Sequence, residues 1–171
     1  MTAKASILIV EDDAFNVAML RDHFDSLKEY EICSVTDNGE DAVRMAGERR
    51  PGLVLMDIVL KGRMDGIEAA AEIYSRFNIP VVYLTGDSID MDKLSRVKMS
   101  EPFGYIRKPV QARELQIVIE MALYKQKVDG ERKEMVAELL NALDSIKELK
   151  ALIPMCVSCD KFAAVNKQKG Q

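Results

Sequence analysis

The sequence holds a single histidine and only three cysteines in 171 residues. One histidine, His23, cannot build a metal site, so imidazole-rich metal centres are excluded and His23 is assigned no function. Three cysteines, an odd number, do not make a disulfide framework. Basic residues are in slight deficit, 24 against 28 acidic, for a net charge of −4. There is therefore no electrostatic reason to expect a nucleic acid or a membrane surface as partner. No apolar run is long enough to span a bilayer. The opening Met-Thr-Ala-Lys leads straight into a strand-like run without a signal-peptide layout, and a cytoplasmic protein is expected. No internal repeat is present. Apolar residues make up 48% of the chain and are spread along it. That suits one domain of ordinary size with an appendage.

Five short apolar runs alternate with helical patterns. Ser6 to Val10, Ile32 to Thr36, Leu53 to Met56, Val81 to Leu84 and Phe103 to Ile106 read as strands, most of them covered on both faces. Asp13 stands at a helix N-cap, ahead of a stripe made by Val17, Leu20, Phe24 and Leu27. Further helices are expected over Glu40 to Glu48, after the turn Asp37-Asn38-Gly39, and over Gly66 to Phe77, Ser88 to Met99 and Gln111 to Lys127. Five alternations within about 125 residues predict an α/β fold, a parallel sheet with helices on both faces. Gly130 interrupts the helical pattern. Beyond it Val136, Leu139, Leu143, Ile146 and Ile153 fit an a/d register, with Lys150 at one a position and Pro154 as a stop. Such a stretch is too short and polar to fold alone, and is expected to pair with a second copy or pack on the domain.

In an open parallel sheet, ligands gather beyond the carboxyl ends of the strands. Here the first strand ends in Glu11 and Asp12, the third in Asp57, the fourth in Thr85 and the fifth in Lys108. If the first and third strands are neighbours, their acids lie roughly 5 to 8 Å apart, because strands are spaced near 4.8 Å. Three such acids either take up a proton or hold a cation. Oxygen ligands favour a hard ion, and Mg2+ suits a small site that keeps its waters. A divalent ion also lowers the charge barrier to a phosphoryl group approaching a carboxylate. Lys108 could hold one phosphoryl oxygen as a point charge, while Thr85 and the backbone at Gly86 could donate to another. Asp57 is the best acceptor, because it closes the central strand and a pliable glycine-containing loop follows it.

Ile-Leu-Ile-Val-Glu-Asp-Asp, Leu-Met-Asp57-Ile, Tyr-Leu-Thr85-Gly and Gly-Tyr-Ile-Arg-Lys108-Pro109 resemble the motifs of response-regulator receiver domains. Thr-Asp-Asn-Gly-Glu-Asp-Ala is similar to that family's entry into its second helix. The resemblance covers roughly residues 4 to 125, with all motifs in order. It implies a doubly wound, flavodoxin-like five-stranded sheet in the order 2-1-3-4-5. It implies that Asp57 is phosphorylated by a phosphohistidine of a sensor histidine kinase or phosphotransfer protein. Asp12, Asp57 and the backbone carbonyl of Val59 would bind Mg2+, with Glu11 helping through water. Lys108 would contact the phosphoryl group, and Thr85 and Tyr105 would form the switch pair. The chain departs from the family's commonest loop, which has a proline three or four residues after the aspartate. Its loop, Ile-Val-Leu-Lys-Gly-Arg-Met-Asp-Gly, has none and is one residue longer, like a subset found beside sensor-kinase or sensory modules. Val59 and Asp87 occupy positions that govern water access in the family.

The expected layout is a receiver over 4–127, a helical, coiled-coil-like extension over 128–154 and a cysteine-containing tail over 155–171. Cys156 and Cys159 form C-x-x-C, at best half of a zinc or redox site. No DNA-binding or catalytic module fits after the fifth helix, so output by protein contact is expected. A homodimer would form through the face of the fourth helix, fifth strand and fifth helix, or through the tail helix. An enzyme is not expected. A Mg2+-dependent phosphatase of the haloacid dehalogenase type is the alternative, but it needs a second aspartate where Val59 stands, and an aliphatic side chain transfers no proton. The other alternative is a degenerate receiver used as a scaffold, against which the complete acid set argues.

Overall fold

The computed structural model describes residues 4–86, 95–97 and 102–151, the last four by their backbone alone. The elements are β1 (Ala5–Val10), α1 (Ala14–Ser26), β2 (Tyr30–Thr36), α2 (Gly39–Arg49), β3 (Leu53–Asp57), α3 (Gly66–Phe77), β4 (Val81–Thr85), β5 (Gly104–Arg107) and a C-terminal helix (Ala112–Ala151). Residues 95–97 are helical; the rest of the helix expected over Ser88 to Met99 lies outside the described residues. The five strands pair in parallel in the order β2-β1-β3-β4-β5. The chain reverses its winding between β1 and β3, which opens a crevice there at the carboxyl edge.

The apolar runs owe their continuity to being covered on both sides. Leu8, Val10, Val54 and Met56 meet Ala42, Val43 and Ala46 of α2 and Ala69, Ala70 and Ile73 of α3. Ile7, Ile9, Leu53 and Leu55 face the other way, toward Leu20 and Phe24 of α1 and Leu115, Ile119 and Ala122 of the C-terminal helix. Burying each large side chain of this kind contributes about 1.5–3 kcal/mol. A one-residue slip of a central strand would exchange its two faces. The core therefore fixes the register, and the polar strand ends follow from it. Cys33 is half-buried in β2, where the β1–β2 register shifts.

Side-chain caps set where each helix begins. Asp13 accepts from the Phe15 N–H at 2.8 Å, and Asn38 accepts from the Asp41 N–H at 2.9 Å. Asp65 accepts from the N–H groups of Ile67 and Glu68, and the Glu68 side chain returns to the Asp65 N–H, which completes a capping box. Arg96 reaches the same carboxylate at 2.7 Å. The C-caps Arg50 and Asn78 are left-handed, with φ of 48° and 54°.

Gly130 does not interrupt the helix, which runs on to Ala151. A lone glycine costs only about 1 kcal/mol against alanine, and good helix formers flank this one. The chain divides into two compact units between Val128 and Asp129. In the second unit the heptad residues Val136, Leu139, Leu143 and Ile146 are all exposed. Ile153, Pro154, Cys156 and Cys159 lie outside the described residues, as does the Lys150 side chain. Among the described residues no helix is long and apolar enough to cross a membrane.

Burial works to raise the Asp65 pKa. The Glu68 N–H and the Arg96 guanidinium outweigh it, and the carboxyl is held below its ordinary value. An acid depressed in this way stabilises the fold above its unfolded pKa and gives that up as pH falls through the folded one. Asp65→Ala is expected to cost about 1 kcal/mol at neutral pH. Asp65→Asn keeps the capping oxygen but loses the charge that pairs with Arg96, so it should be less stable than the wild type above the ordinary value of 3.8, and the gap should close as pH falls through the folded pKa. Urea unfolding across that pH range reads both.

Candidate functional site

Strand register brings the polar ends to one level. Val10 pairs with Met56, so Glu11 falls beside Asp57. Asp57 pairs with Leu84, and Thr85 pairs with Arg107, so Thr85 follows one step and Lys108 two steps further along the same edge. The edge is closed by backbone bonds from Glu11 N–H to the Thr36 carbonyl at 3.0 Å and from Lys108 N–H to the Thr85 carbonyl at 2.7 Å.

Glu11, Asp12 and Asp57 each offer an oxygen within 4.8 Å of the others, at the short end of the separation expected from strand spacing. The Lys108 ammonium lies 2.7 Å from Asp57 Oδ2 and 2.7 Å from Glu11 Oε2. Asp57 Oδ1 accepts from the Val59 N–H at 3.1 Å. Glu11 Oε1 accepts from Asn16 Nδ2 at 3.1 Å. Glu11 Oε2 is buried against the Lys108 ammonium. Burial, helped by the negative Asp57, pushes the Glu11 carboxyl above its ordinary pKa despite Lys108 and Asn16. Burial would lower the Lys108 pKa, but its contacts with Asp57 and Glu11 more than offset that and raise it. The three acids make a largely buried, oxygen-only set with more negative than positive charge around it, which is the chemistry a hard divalent cation requires.

The other expected residues stand around this centre. The Thr85 hydroxyl donates to the Ile106 carbonyl at 3.3 Å, toward β5. Tyr105 turns its ring outward and is 67% exposed. The Val59 side chain is half exposed. Pro109 is exposed and joined to Lys108 by a cis peptide. Gly86 has open space where a Cβ would sit, so no neighbour demands a glycine there. Asp87 lies outside the described residues.

Three neighbours of the site were not foreseen. Asn16 supports Glu11 from α1; its spacing of five from an acid at a strand end was the available signal. Lys61, in the loop after β3, pairs with Asp12 at 3.2 Å, though its side chain is 84% exposed. Gly66 packs so tightly that a Cβ there would come within 1.8 Å of the Asp57 carbonyl oxygen. Its place directly after an N-cap hinted only at a helix start. In the same loop Gly62 has φ +135°, a conformation open to glycine and strained for other residues.

Residues 7–120 match the response regulator receiver domain family. The chain belongs to that family. Its receiver is 36% identical over 119 residues to the transcriptional regulatory protein PdtaR of Mycobacterium tuberculosis, a match covering 68% of this chain. The chain spans only 56% of that relative's length. Among solved structures, the signal receiver domain of a modulated diguanylate cyclase from Desulfovibrio desulfuricans is 42% identical, with a TM-score of 0.71, covering 74% of this chain and 99% of that one. The receiver domain of a sensor histidine kinase from Pseudomonas aeruginosa is 29% identical, with a TM-score of 0.62, covering 71% and 98%. That structure has a magnesium ion coordinated in its active site cleft.

Lys108 carries the charge balance of the receiver site. Its raised pKa means its stabilisation is complete below the ordinary lysine value and is lost only as pH rises through the folded one, so it is fully present at neutral pH. Lys108→Ala leaves two buried carboxylates without a countercharge and is expected to cost about 3 kcal/mol in a chelator. Millimolar Mg2+ should restore part of that loss in urea unfolding. A loss unchanged by Mg2+ would show that the acids hold no cation.

Proposed function

We propose that this receiver accepts a phosphoryl group on Asp57 from the phosphohistidine of a sensor histidine kinase or phosphotransfer protein. The observation that carries the reading is the Lys108 ammonium 2.7 Å from the Asp57 carboxylate, with Glu11 and Asp12 clustered beside it. An Asp57 oxygen attacks phosphorus, the P–N bond breaks, and the imidazole leaves with the electron pair. Asp12, Asp57 and the Val59 carbonyl would hold Mg2+, with Glu11 acting through water. The ion, when bound, offsets the charge of the incoming group. Lys108 stays against the acceptor and takes a phosphoryl oxygen. The Thr85 hydroxyl exchanges the Ile106 carbonyl for another phosphoryl oxygen, and the Tyr105 ring moves inward.

The output is contact with another protein, without nucleic acid or membrane binding, and a cytoplasmic location goes with those partners. Exposed apolar side chains on β5 and the first half of the C-terminal helix support one dimer face: Tyr105, Ile117, Met121 and Tyr124. The exposed heptad of the 128–154 extension supports pairing of the tail helices, each of which is marginal alone. Cys156 and Cys159, in the 155–171 tail, are taken as free thiols. The protein is a switch and not an enzyme: Val59 offers no general acid for the turnover of a haloacid-dehalogenase-type phosphatase.

Incubation with acetyl phosphate and Mg2+ should add one phosphoryl group by mass spectrometry, absent in Asp57→Ala. Repeated phosphate release without an adduct would favour the phosphatase, and an unmodified wild type the scaffold. Sedimentation with beryllofluoride, a phosphoryl mimic, should reveal a dimer. Leu139→Glu with Leu143→Glu should shift it back toward monomer at least tenfold in dissociation constant, as expected for charges in a helical seam. An unshifted dimer assigns pairing to the β5 face instead.

A further inference from the structure

Lys108 reaches the acids from a short backbone strap held at both ends. Its own N–H donates to the Thr85 carbonyl at 2.7 Å. On the far side Pro109 has no N–H to give. Val110 then buries its side chain in the cluster that holds Leu115 and Ile119. The Val110 carbonyl is met by His23 Nε2 of α1, at 2.9 Å and 87 residues away in sequence. A carbonyl can only accept, so Nε2 carries the proton in this contact, in either the neutral ring or the imidazolium. His23 is half-buried, and its neighbour Phe24 packs in the same cluster as Val110. The ring therefore hangs from a fixed stretch of helix, and the strap is tied to it.

We infer that His23 is a positioning residue for Lys108, holding the 108–110 strap so that the ammonium stands against Asp57. The inference rests on the phosphoacceptor reading above. Lysine has a long, flexible side chain, and its reach into a buried pair of carboxylates depends on where its Cα is anchored. Without the His23 bond the strap keeps one backbone bond and the Val110 side chain, and the ammonium spends less time in the productive place.

The test compares His23→Leu, which removes the donor, with His23→Gln, whose side-chain amide can replace Nε2–H. Each is made in the wild-type chain and in Lys108→Ala. The rate of Asp57 phosphorylation by acetyl phosphate is measured alongside Mg2+ affinity by calorimetry. His23→Leu is expected to slow phosphorylation about fivefold, the loss of one ordinary hydrogen bond. His23→Gln should recover most of that rate. In Lys108→Ala, His23→Leu should add no further slowing, because the two act through one group. Mg2+ affinity in His23→Leu should stay level or rise, since a looser Lys108 competes less for the same oxygens. Equal slowing in both backgrounds, a parallel loss of Mg2+ affinity, or a wild-type rate in His23→Leu would each overturn the inference. A wild-type chain that takes up no phosphoryl group at all would instead mark the acceptor reading as the failure. A rise in Mg2+ affinity in His23→Leu that vanishes in Lys108→Ala would then still support the link between the two residues.

Discussion

One ammonium between two buried carboxylates organises this protein. Lys108 comes from the end of β5, Asp57 from the end of β3 and Glu11 from the end of β1, and the lysine stands 2.7 Å from both acids. Charges taken out of water in this way are costly unless each finds its partner. The sheet can therefore close its carboxyl edge only if three strands, distant in sequence, arrive in register. The apolar packing on both faces delivers that register, and the ion cluster then defines what the edge can do.

The cluster is unbalanced. Two buried acids share one cation, and a third acid leans on an exposed lysine. A protein selected for stability alone would have little reason to keep that arrangement. The same imbalance suits a divalent ion, and in the proposed reading that ion and Lys108 would together offset the charge of a phosphoryl group at Asp57. Beside the cluster the Thr85 hydroxyl is occupied with a β5 carbonyl and the Tyr105 ring lies outside.

Much of this was legible in the sequence, because apolar runs that stop abruptly at acids, a threonine and a lysine give both the strands and the edge where they end. Gly66 to Phe77 was read with the boundaries observed, and the structure adds the Asp65–Glu68 capping box that starts it. The helix through Gly130 was misread because a single glycine is a weak break when its neighbours favour helix. Asn16, Lys61 and Gly66 escaped for another reason. Their importance lies in where folding brings them, and periodicity carries no record of an approach across space. His23 is the sharpest instance: as a lone histidine it had no partner in the sequence, and its partner proves to be a backbone carbonyl, which every residue has.

The closeness of Gly66 to the Asp57 carbonyl has a bearing on how such loops can vary. The start of α3 rests directly on the backbone of Asp57, with no room for even a methyl group between them. Residues 58 to 65 thus form a loop pinned at both feet to one spot. An extra residue in it can be taken up between those feet without moving the aspartate. The length and sequence of that arch can drift among proteins that greet different partners while the chemistry beneath stays in place.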